Sequence, residues 1–396
     1  VAAFVISGGF MGYGAYMSGG NNSAQQGTNP NEPIAEVNGE EISYQEYLNV
    51  MRNNAQRASQ LSSTQLLNFR LNVLNSIIER KLLLAQADEM GINAQVTEED
   101  VDKSIQDILK NNNMTEEELK KNLEEQDYSM SDLRNDLRLN LQTQKTIQKT
   151  VEKSYEDVKV SEEKVKEEYE KQAEDNEEIA SYEEKKNEIK QSLLEEKQNE
   201  EFNKWMEDLK ESADIKIYDN SLKGVKALNN EDYEVAIESF KKALDNSDTP
   251  TNYIYLAQTY EKDQKSDKAI ETYETAIEKY QENWEIRYNY GQLMINLENN
   301  EKAKNQLEKA SEYASDSDFM AHYQIYQSFN NIGAEEKAQE QMDKIIEIQQ
   351  NMNQNSQNQN PENEQQSDQE EDFGEENNTE ESLDEEDLEV DTVPSD

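Results

Sequence analysis

Residues 34–47 read IAEVNGEEISYQEY. Ile34 to Val37 has the make-up of a short strand. Asn38-Gly39 is a tight-turn signal, because both residues tolerate the positive φ that a two-residue hairpin turn demands. Glu41 and Ile42 follow. Ser43 with Glu46 is a capping box, which satisfies orphan amides and opens a helix. Tyr47, Leu48, Met51 and Ala55 give that helix one apolar face. Far along the chain, residues 213–218 read ADIKIY, a second strand pattern. Each strand is too short to stand alone. Pairing them would bring the two ends of residues 34–218 together and close that stretch as one unit.

Between the strands the spacing predicts helices. One from about Thr64 to Met90 carries Leu67, Leu71, Leu74, Ile78, Leu82 and Ala85 at helical spacing, with Gly91 as its C-cap. Thr97 with Asp100 opens a third helix, Thr115 with Glu118 a fourth, and Ser131 a fifth. The chain turns extended near Val158–Val160, and Ser161 then starts another helix. A long helix follows from about Tyr182 to Ser212.

Residues 34–47, with VLNSIIERKLLLAQADEMGI at 73–92, KWM at 204–206 and ADIKI at 213–217, resemble the SurA/PrsA/PpiD N-terminal chaperone domain. The resemblance covers about half the chain. It implies an extracytoplasmic chaperone or foldase that holds unfolded exported proteins. In that family a parvulin prolyl isomerase domain usually sits ahead of the last helix and uses a pair of histidines. Here only residues 172–181 separate the two flanking helices, and the unit has no histidine. The resemblance therefore implies a chaperone without isomerase activity. Holding a client needs accessible apolar surface. Tyr47, Met51, Phe69 and Leu133 are candidates for that surface, and each also reads as a core position at helical spacing.

Residues 219–348 repeat with a period near 34, in about four units. Ala236, Ala269, Ala303 and Ala338 mark one equivalent position. Gly224, Ala257, Gly291 and Tyr326 lie upstream of them, and Phe240, Tyr273, Leu307 and Met342 downstream. Small residues let two helices approach, and larger ones fill the gap between repeats. The pattern resembles tetratricopeptide repeats, with a fourth unit that departs from it as terminal repeats do. The resemblance implies a protein or peptide partner in a groove lined by the first helices. It places Ile254, Gln258, Tyr288, Gln292, Tyr323 and Gln327 there. The Lys/Arg clamp that grips acidic tails is not matched, since Arg287 is the only arginine of this region. His322, in the last repeat, reads as a packing residue.

Residues 1–18 carry no charge. They read as the outer end of a single membrane helix cut short at its beginning, followed by a flexible linker at 19–33. Residues 349–396 are Asn/Gln-rich, then acidic, and are expected to be disordered. The expected architecture is mainly α. It runs from the anchor and linker to a SurA-N-like domain at 34–218 closed by a strand pair, then a repeat solenoid at 219–348 and the tail.

Lys and Arg number 39 against 87 Asp and Glu, a net charge of -48. Such a balance argues against a nucleic-acid partner, which needs a basic footprint. With no cysteine and one histidine, disulfides, thiolate nucleophiles, Cys-based zinc sites and a Ser-His-Asp triad have no material. No cofactor, metal or catalytic residue is expected. The expected function is that of a single-pass inner-membrane protein whose bulk is extracytoplasmic, in the periplasm. It would hold unfolded exported proteins and recruit a partner through its repeats. The alternative is a repeat scaffold of an envelope or secretion complex, and a remnant prolyl isomerase is the least favoured reading.

Overall fold

The computed structural model of the chain describes residues 32–358 except 60, 126–127 and 176–179. The expected anchor at 1–18, most of the linker and residues 359–396 lie outside the described residues. Among the described residues, no helix is long and apolar enough to cross a membrane.

The opening stretch forms β1 (Pro33–Val37) and β2 (Glu40–Ser43), paired antiparallel. Asn38 (φ 51°) and Gly39 (φ 84°) make the turn between them, as a primed hairpin turn requires. On its other edge β1 pairs antiparallel with β3 (Ile215–Ile217), in the register Ala35–Ile217 and Val37–Ile215. The pairing of the two distant strands is thus present, within a three-stranded sheet of order β2-β1-β3. Lys216 Nζ donates to Glu36 at 2.8 Å beside the ladder, and the Tyr218 hydroxyl donates to the same carboxylate at 2.8 Å.

Helix α1 (Tyr44–Asn53) starts on Ser43, whose hydroxyl accepts from the Glu46 amide. After the short α2 (Ala55–Ala58) comes α3 (Ser63–Met90), opened by a Ser62/Gln65 capping box and closed by Gly91 at φ 67°. Helices α4 (Glu98–Asn111), α5 (Glu116–Glu124) and α6 (Met130–Ser154) each begin with a capping box. The sixth opens on Ser129 with Asp132, not on the expected Ser131. The reason is chemical: Ser129 has a carboxylate three residues on, whereas Ser131 has Arg134 there. These three helices enclose a small core of Val101, Ile105, Ile108, Leu119, Leu123 and Leu133.

Helix α7 (Glu162–Asp175) packs on α8 (Tyr182–Ser212), with Val165 and Ile189 buried. Residues 176–181 alone connect them, too few for a folded lobe. The far end of α8 returns to α3 and α6 through Phe202 and Met206, which pack on Leu83, Ile147 and Val151.

Four helix pairs follow: α9 (Asn220–Asn229) with α10 (Tyr233–Asn246), α11 (Pro250–Lys262) with α12 (Ser266–Lys279), α13 (Trp284–Asn296) with α14 (Asn300–Tyr313), and α15 (Phe319–Asn331) with α16 (Glu335–Asn358). The small-to-large spacing has a direct steric meaning. A Cβ on Gly224 would lie 2.8 Å from the Phe240 ring, and one on Gly291 would lie 3.1 Å from Leu307. Phe240 then stacks on Tyr255 of the next repeat (centroids 5.4 Å apart), and Tyr273 stacks on Tyr290 (5.5 Å). Burying each of these rings contributes about 1.5–3 kcal/mol.

Helix α16 continues to Asn358, into the segment expected to be disordered. The four Gln and Met352 of residues 349–358 favour helix, and no Pro or Gly intervenes before Pro361.

One continuous core runs from Ile34 and Ala35 through α1 and α3 into the first three repeats, as far as Ala303. The SurA-like unit and the repeats therefore share their interior.

Candidate functional site

The first helices of the repeats meet the front of α3. Asp219 caps α9 by accepting from the Leu222 amide at 2.9 Å, and the same carboxylate pairs with Arg70 of α3 at 3.1 Å. Arg70 Nε also donates to the Tyr47 hydroxyl at 3.2 Å, which ties α1, α3 and the first repeat together. One repeat further on, the Tyr255 hydroxyl donates to the Thr64 carbonyl at 2.9 Å and accepts from the Asn68 amide. Burial pushes that hydroxyl well above its ordinary value, so it stays a donor at neutral pH. In the third repeat Glu285 accepts from the Ser63 amide at 2.8 Å and from the Ser63 hydroxyl. Ser63 is the first residue of α3, so its amide has no partner within the helix. A carboxylate at this end is favoured by both the orphan donor and the helix dipole.

This geometry redistributes the expected groove residues. Ile254 is fully buried in the core, because the helix register turns its neighbour Tyr255 toward α3 instead. Gln258 donates to Asn289 at 2.9 Å, and Gln292 donates to Ser328 at 2.5 Å, so both join adjacent repeats. Tyr288 is half-buried beside Trp284, with ring centroids 6.2 Å apart. Tyr323 and Gln327 are exposed, and Tyr323 stacks on Phe319. The groove of the first two repeats is thus occupied by the chain's own α3, whose first residue, Ser63, also reaches the third through Glu285.

The expected client residues divide similarly. Tyr47 (1 % exposed) and Leu133 (2 %) are core, so they offer a client no surface. Helical spacing brings a side chain to an apolar face but does not say whether another helix covers it. Met51 and Phe69 are half-buried on the shared core, and the Arg57 guanidinium lies 5.5 Å over the Phe69 ring. Among the described residues the most exposed large apolar side chain is Leu139 of α6, at 63 %.

His322 is fully buried between Gln341 and the Ser315 carbonyl, 2.9 and 3.2 Å away. That is a packing role.

Sequence reasoning missed Tyr255, Trp284, Glu285, Asn289 and Gln324. These residues meet α3 or line the cleft beside its first turn. A signal was present: α11, α13 and α15 are nearly free of charge in a chain of net charge -48, and Glu285 is an acid in that neutral row.

A family model described as the SurA-like N-terminal domain matches residues 1–147, and a tetratricopeptide repeat model matches residues 260–322. Neither matched domain is a catalytic one. A search of curated proteins finds no match. The first match takes in the sheet's first two strands and most of the capped helices; the second runs from the end of α11 to the start of α15. The chain carries a SurA-like N-terminal domain joined to a tetratricopeptide-repeat array.

Proposed function

We propose that the protein is a membrane-anchored, extracytoplasmic holdase that binds unfolded exported proteins without catalysis. Residues 1–18 would supply the end of its anchor, and the repeats a recruiting surface. The α4–α6 lobe carries this reading. Its core is small, and Leu109, Met114, Met130, Leu137 and Leu141 are only half-buried around it, with Leu139 exposed. Apolar side chains held on a rigid frame but incompletely covered suit transient burial of an extended client.

The test dilutes a chemically unfolded model protein into buffer containing the full chain and follows light scattering. Suppression near stoichiometric ratios is expected, and it should weaken when Leu137 and Leu139 are both replaced by Glu. Undiminished aggregation at several-fold excess of the chain would remove the holdase reading. The shared core favours a second reading, a scaffold of an envelope or secretion complex in which the repeats brace the SurA-like unit. Unchanged holding after loss of the α4–α6 apolar side chains would favour it.

A further inference from the structure

Beside the first turn of α3 a cleft opens between the two units, walled by Gln65 on one side and by Trp284, Glu285, Tyr288, Asn289 and Gln324 on the other. Glu285 is only 8 % exposed. Its carboxylate accepts twice from Ser63, yet no basic side chain pairs with it among the described residues. Buried carboxylates are ordinarily matched by a cation or neutralised. Trp284 and Tyr288 flank it with rings tilted at 56°, and no cation of the described residues lies over either ring. Arg287 is turned away, toward Gln306 and the Gln281 carbonyl. The other walls are polar: Ser62, Thr64, Gln65, Gln324 and Asn289, the last already bonded to Gln258 and to the Glu285 carbonyl. The second helices of the repeats, by contrast, carry ion pairs such as Lys242–Glu238 and Lys309–Glu312.

A buried carboxylate that shares a cleft with two aromatic rings has one natural complement. We propose that this cleft takes the lysine or arginine side chain of an extended segment of a partner protein. The rings attract the cation, the carboxylate pairs with it, and the Gln65 and Gln324 amides bond the flanking peptide groups. The acid lies on the repeats and the base on the ligand, the reverse of repeats that grip acidic tails. The chain's net charge of -48 adds long-range attraction for such a partner. The proposal rests on the reading of the repeats as a recruiting surface.

The test presents the full chain with short extended peptides that differ only in the central residue, read by fluorescence anisotropy. Peptides with central Lys or Arg should bind about tenfold more tightly than those with norleucine or Glu. That preference should persist in about 0.5 M salt, where attraction to exposed acidic residues is screened. It should be lost in Glu285→Gln, which keeps an acceptor for Ser63, and in Trp284→Leu, which leaves the Ser63–Glu285 contact alone. Thermal melts of both variants check that the junction stays folded. Equal binding of all peptides, or a preference for neutral ones, overturns the cation site and leaves the recruiting surface standing. A preference that both variants retain, or that salt abolishes, overturns it too, since the attraction is then the diffuse field. Failure of every peptide to bind removes the recruiting reading along with it.

Discussion

In the repeats, Gly224 leaves room for Phe240 and Gly291 for Leu307, and each large side chain reaches on to the next pair. The α4–α6 lobe has no such device. The six buried apolar side chains of its own core are bounded by capping boxes and by ion pairs of Arg134 and Arg138 with Glu98, Arg134 with Asp102, and Lys145 with Asp100. One region draws its stability from close-packed apolar neighbours repeated at each step. The other depends to a larger degree on helix ends and surface charge. The contrast teaches that helical content alone says little about how a region will fail.

The most severe break should come from Phe240→Ala, which empties a fully buried site shared by two repeats. A loss of about 3–5 kcal/mol is expected in denaturant unfolding. Gly224→Ala attacks the same contact from the other side and should cost about 1–3 kcal/mol despite alanine's better helix propensity, because the ring it meets has no free space. Adding Phe240→Leu should recover part of that loss; an additive double mutant would refute the steric pairing. Tyr255→Phe sharpens the comparison at the junction. Losing the Thr64 and Asn68 bonds should cost about 1 kcal/mol and raise hydrogen exchange over residues 63–70. If exchange rises only within the repeats, the two units are energetically independent.

Acid should act selectively on the α4–α6 lobe. Bonds from Lys145 and Thr97 hold Asp100 down to about 2, and Thr115, Ser129 and the Arg138–Arg134 pair hold Glu118, Asp132 and Glu98 below the usual carboxylate range. Each carboxylate favours the folded state while ionised. Its contribution is fully present above the unfolded value near 4 and is lost as pH falls through the folded one. Exchange protection of α4, α5 and α6 should therefore fade below about pH 4, ahead of the Phe240–Tyr255 stack, which involves no charge. Simultaneous loss of both would show that the lobe has no separate weakness.

Much of this fold was legible because its signals are local. The Asn38-Gly39 turn, the boxes at Thr97 and Thr115, Gly91 and the alanine spacing all act within a few residues of themselves. Even the β1–β3 pairing followed from two short strands, each too short to stand alone, at the two ends of one unit. The candidate site was far less legible. Whether Ile254 or Tyr255 faces the groove is one residue of helix register, and Ser63 and Glu285 meet across 222 residues of sequence. No periodicity shows which helix will fill a groove. Tyr47 and Leu133 look alike in sequence whether they are covered or open, since covering is a property of the partner helix.

The tie between Ser63 and Glu285 also sets a timetable. As the chain emerges from its N-terminal end, α3 appears long before Asp219, Tyr255 and Glu285, the groups that will cover its front, and β1 appears before β3. During that interval the apolar stripe from Leu67 to Leu82 lies bare, and the strand edge beside it is unmatched. Newly made molecules thus pass through a stage in which they resemble the unfolded chains that their finished form is proposed to hold, and another copy already complete would be a fitting escort.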